Sequence, residues 1–204
     1  MPKSPTKTRP RTVANLMTSA RELFIRHGYH ATSISDICGH AGLTRGAFYS
    51  NYRGKEQLFL ALYDVESDRI LADLDAAASK LEDGVNPVQQ ILSYLAVHRR
   101  DDRQWFLVSM EFTLHAARNP DLAAELAPHE NRLTAGIVEL LTRLHPDCPA
   151  DVARDLARLI TAFHEGTTAH ELIQADANAD FRKRVLPPFI AAVAAAMDSA
   201  ARER

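Results

Sequence analysis

Cysteine is nearly absent from this chain of 204 residues: Cys38 and Cys148 are the only two. They stand 110 positions apart and make neither a CxxC pair nor a zinc-ligand spacing. A disulfide framework is not expected, and a reducing, cytoplasmic setting is the expectation. Glycine is scarce as well, with eight residues, and long alternations of Val, Ile and Thr are missing. A strand-rich fold finds no support in that pattern, and an all-α protein is expected. The longest strongly apolar stretch, Val185 to Met197, is interrupted by Pro187 and Pro188. A bilayer crossing takes about 20 such residues, so no membrane helix and no membrane partner are expected. The first residues, Met1 to Arg11, are basic and lack an apolar core segment, which excludes a signal peptide.

What is present begins with charge. The chain carries 26 acidic and 24 basic residues, a net charge of −2 that speaks against a polyanionic partner only while it is averaged. Residues 1–55 hold nine Lys and Arg against Glu22 and Asp36, giving +7, and the remainder sums to −9. Such asymmetry points to a basic module that meets a polyanion, joined to an acidic body that does not. At 46% hydrophobic residues the chain can bury a substantial core, so wholesale disorder is excluded.

Residues 1–11, with three prolines and four basic residues, read as a flexible arm. Val13, Leu16, Ala20, Leu23 and Phe24 step by three and four, predicting a helix from near Thr12 to just before Gly28. Ser33 then suits an N-cap with Asp36 at the third helical position, a capping-box pattern. A short helix follows with Ile34, Ile37 and Cys38 inward, ending where Gly42 can take a left-handed turn. Thr44 caps another short helix, 45–52, which Gly54 breaks. A long helix over 55–80, with Leu58, Leu62, Val65 and Leu74 inward, is long enough to link two modules. Beyond it, breakers divide helices near 87–98, 101–118, 120–144, 150–174 and 182–200.

Two short capped helices joined by a tight glycine turn make a helix-turn-helix, whose second helix enters the DNA major groove. The residues that carry this reading run from Ala20-Arg-Glu-Leu-Phe24 through Gly28-Tyr29 and Ile37 to Ala41-Gly-Leu-Thr-Arg-Gly-Ala-Phe-Tyr49, Tyr52 and Lys55-Glu56. Over about 50 residues this stretch strongly resembles the TetR/AcrR family of bacterial transcriptional regulators. The family often places His or Trp where Ser50 and Asn51 stand, and the sequence departs from it there.

Side-chain chemistry assigns roles within the motif independently. Arg45 can donate two hydrogen bonds to guanine, and Thr44 and Ala47 are small enough to bring a methyl against thymine. Gly46 leaves room for close approach of the backbone to DNA. Tyr49 offers a hydroxyl to phosphate, Lys55 offers charge, and Thr32 and Ser33 lie at a helix N-terminus suited to phosphate. Ser50 completes the expected DNA-binding set. Phe48 and Tyr52 read as core of the small domain, and Lys7, Arg9 and Arg11 as an arm that can follow the minor groove.

For the larger domain, the resemblance implies a homodimer built on the last two helices and a small-molecule pocket within the helical body. Candidate dimer contacts are Phe163, Gly166, His170, Phe189, Val193 and Met197, although ordinary core packing explains the same stripes. Candidate pocket residues are Trp105, Phe106, Met110, Phe112, Phe163 and His164, with Glu111, His115 and His170 as polar anchors. Three patterns suggest catalysis and fail. Gly42-Leu-Thr-Arg-Gly46 lacks the preceding strand of a nucleophile elbow, the His-Glu pairs at 129, 164 and 170 have no second His four residues on, and Gly54-Lys55 has no phosphate-loop glycine. No catalytic residue, metal ligand or cofactor is expected.

The expected architecture is thus an all-α protein: a basic flexible arm (1–11), an N-terminal three-helix helix-turn-helix domain (12–55), and a larger antiparallel helical-bundle domain (56–204) for ligand binding and dimerisation. The expected function is a homodimeric repressor, nucleoid-associated, released from a double-stranded DNA operator by a small, largely apolar effector. An all-helical binding protein or enzyme with a non-functional helix-turn-helix is the alternative.

Overall fold

Residues 8–80 and 102–173 are described by the computed structural model, together with helical positions 184, 185, 188, 189, 192, 193, 195 and 199. The helix expected at 87–98, residues 1–7 of the expected arm, and Met197 lie outside the described residues. Among those described, every regular element is a helix, as the composition implied.

Helix α1 spans Thr8–His27, beginning four residues before the start that periodicity indicated. Pro10 falls in its first turn, where a missing N–H breaks no intrahelical bond, so Thr8 to Arg11 extend the helix rather than the arm. Its inner face buries Leu16, Ala20, Leu23 and Phe24. Helix α2 (Ile34–Ala41) opens with the complete capping box: Ser33 Oγ accepts from Asp36 N, and Asp36 accepts from the Ser33 N–H in return. It closes in a Schellman arrangement, with Leu43 N donating to Cys38 O and Gly42 N to Gly39 O. Gly42 sits at φ 65°, a conformation other L residues rarely adopt. Helix α3 (Arg45–Tyr49) is shorter than expected, and Ser50 and Asn51 form the turn after it.

Helix α4 covers Lys55–Ala78, α5 Asp102–Ala117, α6 Pro120–Leu144 and α7 Ala150–Ile173. Pro120 opens α6 at the position where proline is best tolerated, and the helix continues through Pro128. On α4 the inward stripe is Leu58, Phe59, Leu62, Glu66 and Leu74, whereas Val65, expected inward, is half exposed. Steps of four from Leu58 reach position 66 rather than 65, and the buried place belongs to Glu66, which pairs with Arg21 of α1. A charge at a core position is what hid this from the hydrophobic pattern.

The chain divides into two compact units, each discontinuous in sequence. The first comprises residues 1–66 with 107–129, so it reaches beyond residue 55 and includes most of α5. Its centre is aromatic: Phe59 stacks on Phe112 with centroids 4.2 Å apart, and Tyr29 meets both rings edge-on at 5.3 and 5.0 Å. Burying each such ring stabilises the fold by about 1.5–3 kcal/mol. The second comprises 67–106 with 130–204. Leu141, Cys148, Ala153, Leu156, Ala157 and Val193 form one cluster within it, and Leu74, Ala77, Ala78 and Leu140 another. Ion pairs Asp68–Arg132 and Asp75–Arg143 run along α4 and α6. They are exposed and worth little singly, so they align the two helices more than they stabilise them.

Candidate nucleic-acid interface

The helix-turn-helix presents α3 from a rigid base. Phe48 is fully buried and Tyr52 nearly so, with ring centroids 5.8 Å apart, as the reading of both as core residues implied. Ile37 and Cys38 of α2 complete that support. Burial pushes the Cys38 thiol above its ordinary pKa, which disfavours the reactive thiolate. At the head of α3, Thr44 Oγ1 accepts from Ala47 N at 3.1 Å. With its oxygen engaged as a cap, Thr44 has its methyl left for an outside contact.

From this base, Arg45, Gly46, Tyr49 and Ser50 are exposed, and Ala47 is half buried. Arg45 and Tyr49 lie one turn apart on the same face. The Arg45 guanidinium is 5.9 Å from the Tyr49 ring centroid and donates from Nη2 to the phenolic oxygen at 3.4 Å. A Cβ added at Gly46 would meet only Thr44 Oγ1, at 3.7 Å. Among the described residues, therefore, nothing demands glycine there. Ser33 is also exposed, while its hydroxyl bonds Asp36 and holds that carboxyl below its usual pKa.

The residues after α3 bond back onto it. Ser50 Oγ donates to Gly46 O at 2.8 Å, and Asn51 Nδ2 donates to Ala47 O at 2.8 Å. Asn51 Oδ1 in turn accepts from Arg9 Nε of α1 at 3.3 Å. Arg9, expected in a mobile arm, is instead part of a helix and tied to the turn after α3.

Two expected phosphate contacts face elsewhere. Thr32 is 2% exposed, and its hydroxyl donates to Gly28 O at 2.8 Å, so it satisfies the α1–α2 turn. Lys55 Nζ donates to Tyr29 O and Thr32 O at 2.8 and 2.9 Å and lies 4.2 Å from the Tyr29 ring centroid. Its ammonium braces the same turn, and burial lowers its pKa. Both thus have partners within the chain: the turn between α1 and α2 has carbonyls to satisfy, and these are the donors within reach.

Glu111 of α5 was grouped with pocket residues by sequence, and the structure gives it to the reader. Its Oε2 accepts from Tyr29 N at 2.7 Å. Gly28, at φ 86°, leaves the space this requires, since a Cβ there would stand 2.9 Å from Glu111 Oε1. His115, one turn further on, faces His30 edge-on at 5.1 Å. No local motif announces these contacts, because 82 residues separate Glu111 from Tyr29.

The remaining candidate pocket residues are divided between the two units. Trp105 and Phe106 are buried in the second unit. Met110 and Phe112 belong to the first, and Phe112 is fully buried against Phe59 as core rather than lining. Phe163 and His164 are half buried in the second unit, where Phe163 stacks on Phe189 at 3.9 Å. Of the dimer candidates, Gly166 and His170 are exposed, Phe189 is half buried, and Val193 is 3% exposed in the interior cluster. Val193 is therefore a core residue of its own chain. Among the described residues no cluster of three metal-ligating side chains occurs, and no helix is long and apolar enough to cross a membrane.

Comparison with known proteins agrees with this geometry. Residues 16–62 match the model of bacterial regulatory proteins of the tetR family, and residues 86–196 match that of the BetI-type transcriptional repressor C-terminal region. The transcriptional regulator CymR of Pseudomonas putida is 27% identical over 167 residues, 81% of each chain. The transcriptional repressor AcnR of Corynebacterium diphtheriae is 28% identical over 143 residues, 67% of this chain and 70% of its own. The TetC protein of transposon Tn10, from Escherichia coli, is 48% identical over 52 residues, and the match spans 26% of that protein. Among solved structures, Salmonella enterica GusR superposes with a TM-score of 0.68 at 21% identity, covering 96% of this chain and all of that one. A regulator from Rhodococcus sp. gives 0.70 at 16% identity over 92% and 99%. At these identities the structural likeness concerns the fold.

Proposed function

Because the chain belongs to the TetR family of bacterial transcriptional regulators, we propose that it acts as a homodimeric repressor whose α3 helices read successive major grooves of a palindromic operator. In such a dimer the two helices lie about 34–36 Å apart. Arg45 reads a guanine, Ala47 and the Thr44 methyl lie against thymine, and Tyr49 and Ser33 face phosphate. The observation that carries this reading is the exposed Arg45 at the head of a capped, core-anchored helix, followed by a glycine that packing among the described residues does not require.

Release follows when a small, largely apolar molecule binds within residues 56–204, with Trp105, Phe106, Phe163 and His164 as contacts. That effector must bind the operator-free conformation more tightly, or the equilibrium does not move. The dimer forms through α7 and the helical segment after it, with Phe163, Gly166 and His170 at the contact. Exposed apolar side chains on α7, Leu159 and Ile173, support this.

The test is selection of genomic fragments by the purified chain, followed by sequencing. Recovery of a palindromic site with half-sites about one helical turn apart is expected. Recovery of random fragments, or of none, would refute operator recognition.

A further inference from the structure

Ser50 and Asn51 form the turn at the trailing end of α3. Ser50 uses its one hydroxyl proton on Gly46 O, and Asn51 turns its amide toward Ala47 O. Gly46 O also accepts the Ser50 backbone N–H, so both side chains bond back onto α3, with Ser50 exposed and Asn51 half buried. A positive charge from outside the motif reaches this edge in Arg9. It enters from the first turn of α1, 42 residues away in sequence, and its Nε is fixed on Asn51 Oδ1. The side chain is exposed, and one guanidinium N–H is engaged there. A planar guanidinium carries five N–H donors in a fixed fork, a geometry that suits a phosphate diester.

We propose that Arg9, positioned by Asn51 beside the trailing end of α3, is a phosphate-contacting residue of the DNA interface and supplies there what Ser50 and Asn51 do not. The proposal rests on operator reading by α3 and adds a contact that the helix-turn-helix motif does not contain. It also differs from an arm laid in the minor groove, because Arg9 is held on a helix and turned toward α3. A phosphate contact raises affinity on every sequence alike, whereas a minor-groove contact distinguishes A·T from G·C pairs.

The probe is the tightest-binding genomic duplex of about 30 base pairs recovered by the wild-type chain. Its binding is measured from about 50 to about 200 mM salt. Arg9→Gln is expected to reduce the slope of log affinity against log salt by about 0.9 per subunit bound, roughly a fivefold loss per subunit at 0.15 M. Arg9→Lys keeps the charge and retains most of the slope. Relative affinities for base-substituted duplexes stay as in the wild type. In a double-mutant cycle, Asn51→Ala makes the Arg9→Gln loss smaller. Circular dichroism of each variant verifies that the helices are intact.

An unchanged slope in Arg9→Gln would overturn the phosphate contact, and altered preference at flanking A·T pairs would reassign Arg9 to the minor groove. Additive losses in the cycle would remove Asn51 as the positioning residue. If the wild-type chain itself shows no salt-dependent duplex binding, operator reading fails first and this proposal with it, so the two failures are told apart.

Discussion

Arg45 and Lys55 are cations of the same motif, ten positions apart, and they do opposite things. Arg45 projects from α3 with Tyr49 beside it, whereas Lys55 turns inward and ties down the carbonyls of Tyr29 and Thr32. In sequence both are positive charges beside a glycine at the head of a helix, and nothing local separates them. Replacement of Arg45 by Ala is expected to weaken operator binding by about 1–3 kcal/mol and to relax preference at one base pair of each half-site. Anisotropy titrations against single-base operator variants measure this, and uniform weakening across all variants would make Arg45 a phosphate contact instead. Glu66 shows the same limit of residue-level reading. A carboxylate on a helix reads as solvent-facing until its partner is known, and that partner, Arg21, lies 45 residues earlier.

Among the elements, α2 was legible nearly to the residue, because the Ser33–Asp36 box and Gly42 are local signals for its two ends. The start of α1 was not, since Pro10 and the basic residues around it resemble an arm until the helix is built through them. Helix α5 shows what local signals omit altogether. Its Glu111 closes the α1–α2 turn, so a helix beginning at Asp102 contributes to a reader encoded before residue 67. Glu111→Ala strips the acceptor from the Tyr29 amide, at a local cost of about 1–3 kcal/mol if that amide stays buried. Hydrogen exchange at Tyr29 is expected to speed up and operator affinity to fall. Wild-type protection at that amide would show that the carboxylate does not hold the turn.

Helix α7 carries a pH-dependent term. Burial, and then the neighbouring Glu130 charge, push the Glu165 carboxyl above its usual pKa. The folded chain therefore keeps this proton to a higher pH than the unfolded chain does. The resulting destabilisation is absent below the unfolded value, develops as pH rises past it, and is complete above the folded value. Glu165→Gln is accordingly expected to raise the melting temperature at about pH 7 and to leave it unchanged near pH 3. An equal shift at both would assign the effect to packing.

For the whole molecule, the opposed charges of the two parts shape how it meets DNA. A +7 segment over residues 1–55 draws the chain to the duplex, and the −9 remainder discourages wrapping of the rest. Operator reading by two α3 helices requires two chains. On α7, Leu159 is 49% and Ile173 82% exposed, fourteen residues and so close to four turns apart on one face, where a second chain would take them out of water. Leu159→Glu with Ile173→Lys is expected to shift the sedimentation mass from dimer to monomer and to abolish tight operator binding. A dimer of unchanged affinity would place the interface elsewhere.

The sequence by itself determined the all-α class, the helix-turn-helix and its family, because each rests on signals within a few turns of chain: caps, glycine turns, three-and-four periodicity and a charge sum. Tertiary structure alone decided which partners the polar groups of this motif take within the chain. Lys55 and Thr32 were taken inward by carbonyls of the α1–α2 turn, Glu111 was drawn to the same turn, and Arg9 was fixed beside α3. Those choices depend on residues 23 to 82 positions apart for the links to Lys55, Arg9 and Glu111. Backbone groups left unpaired at a turn recruit whatever donor or acceptor the fold brings near, and distance along the chain gives no sign of which that will be.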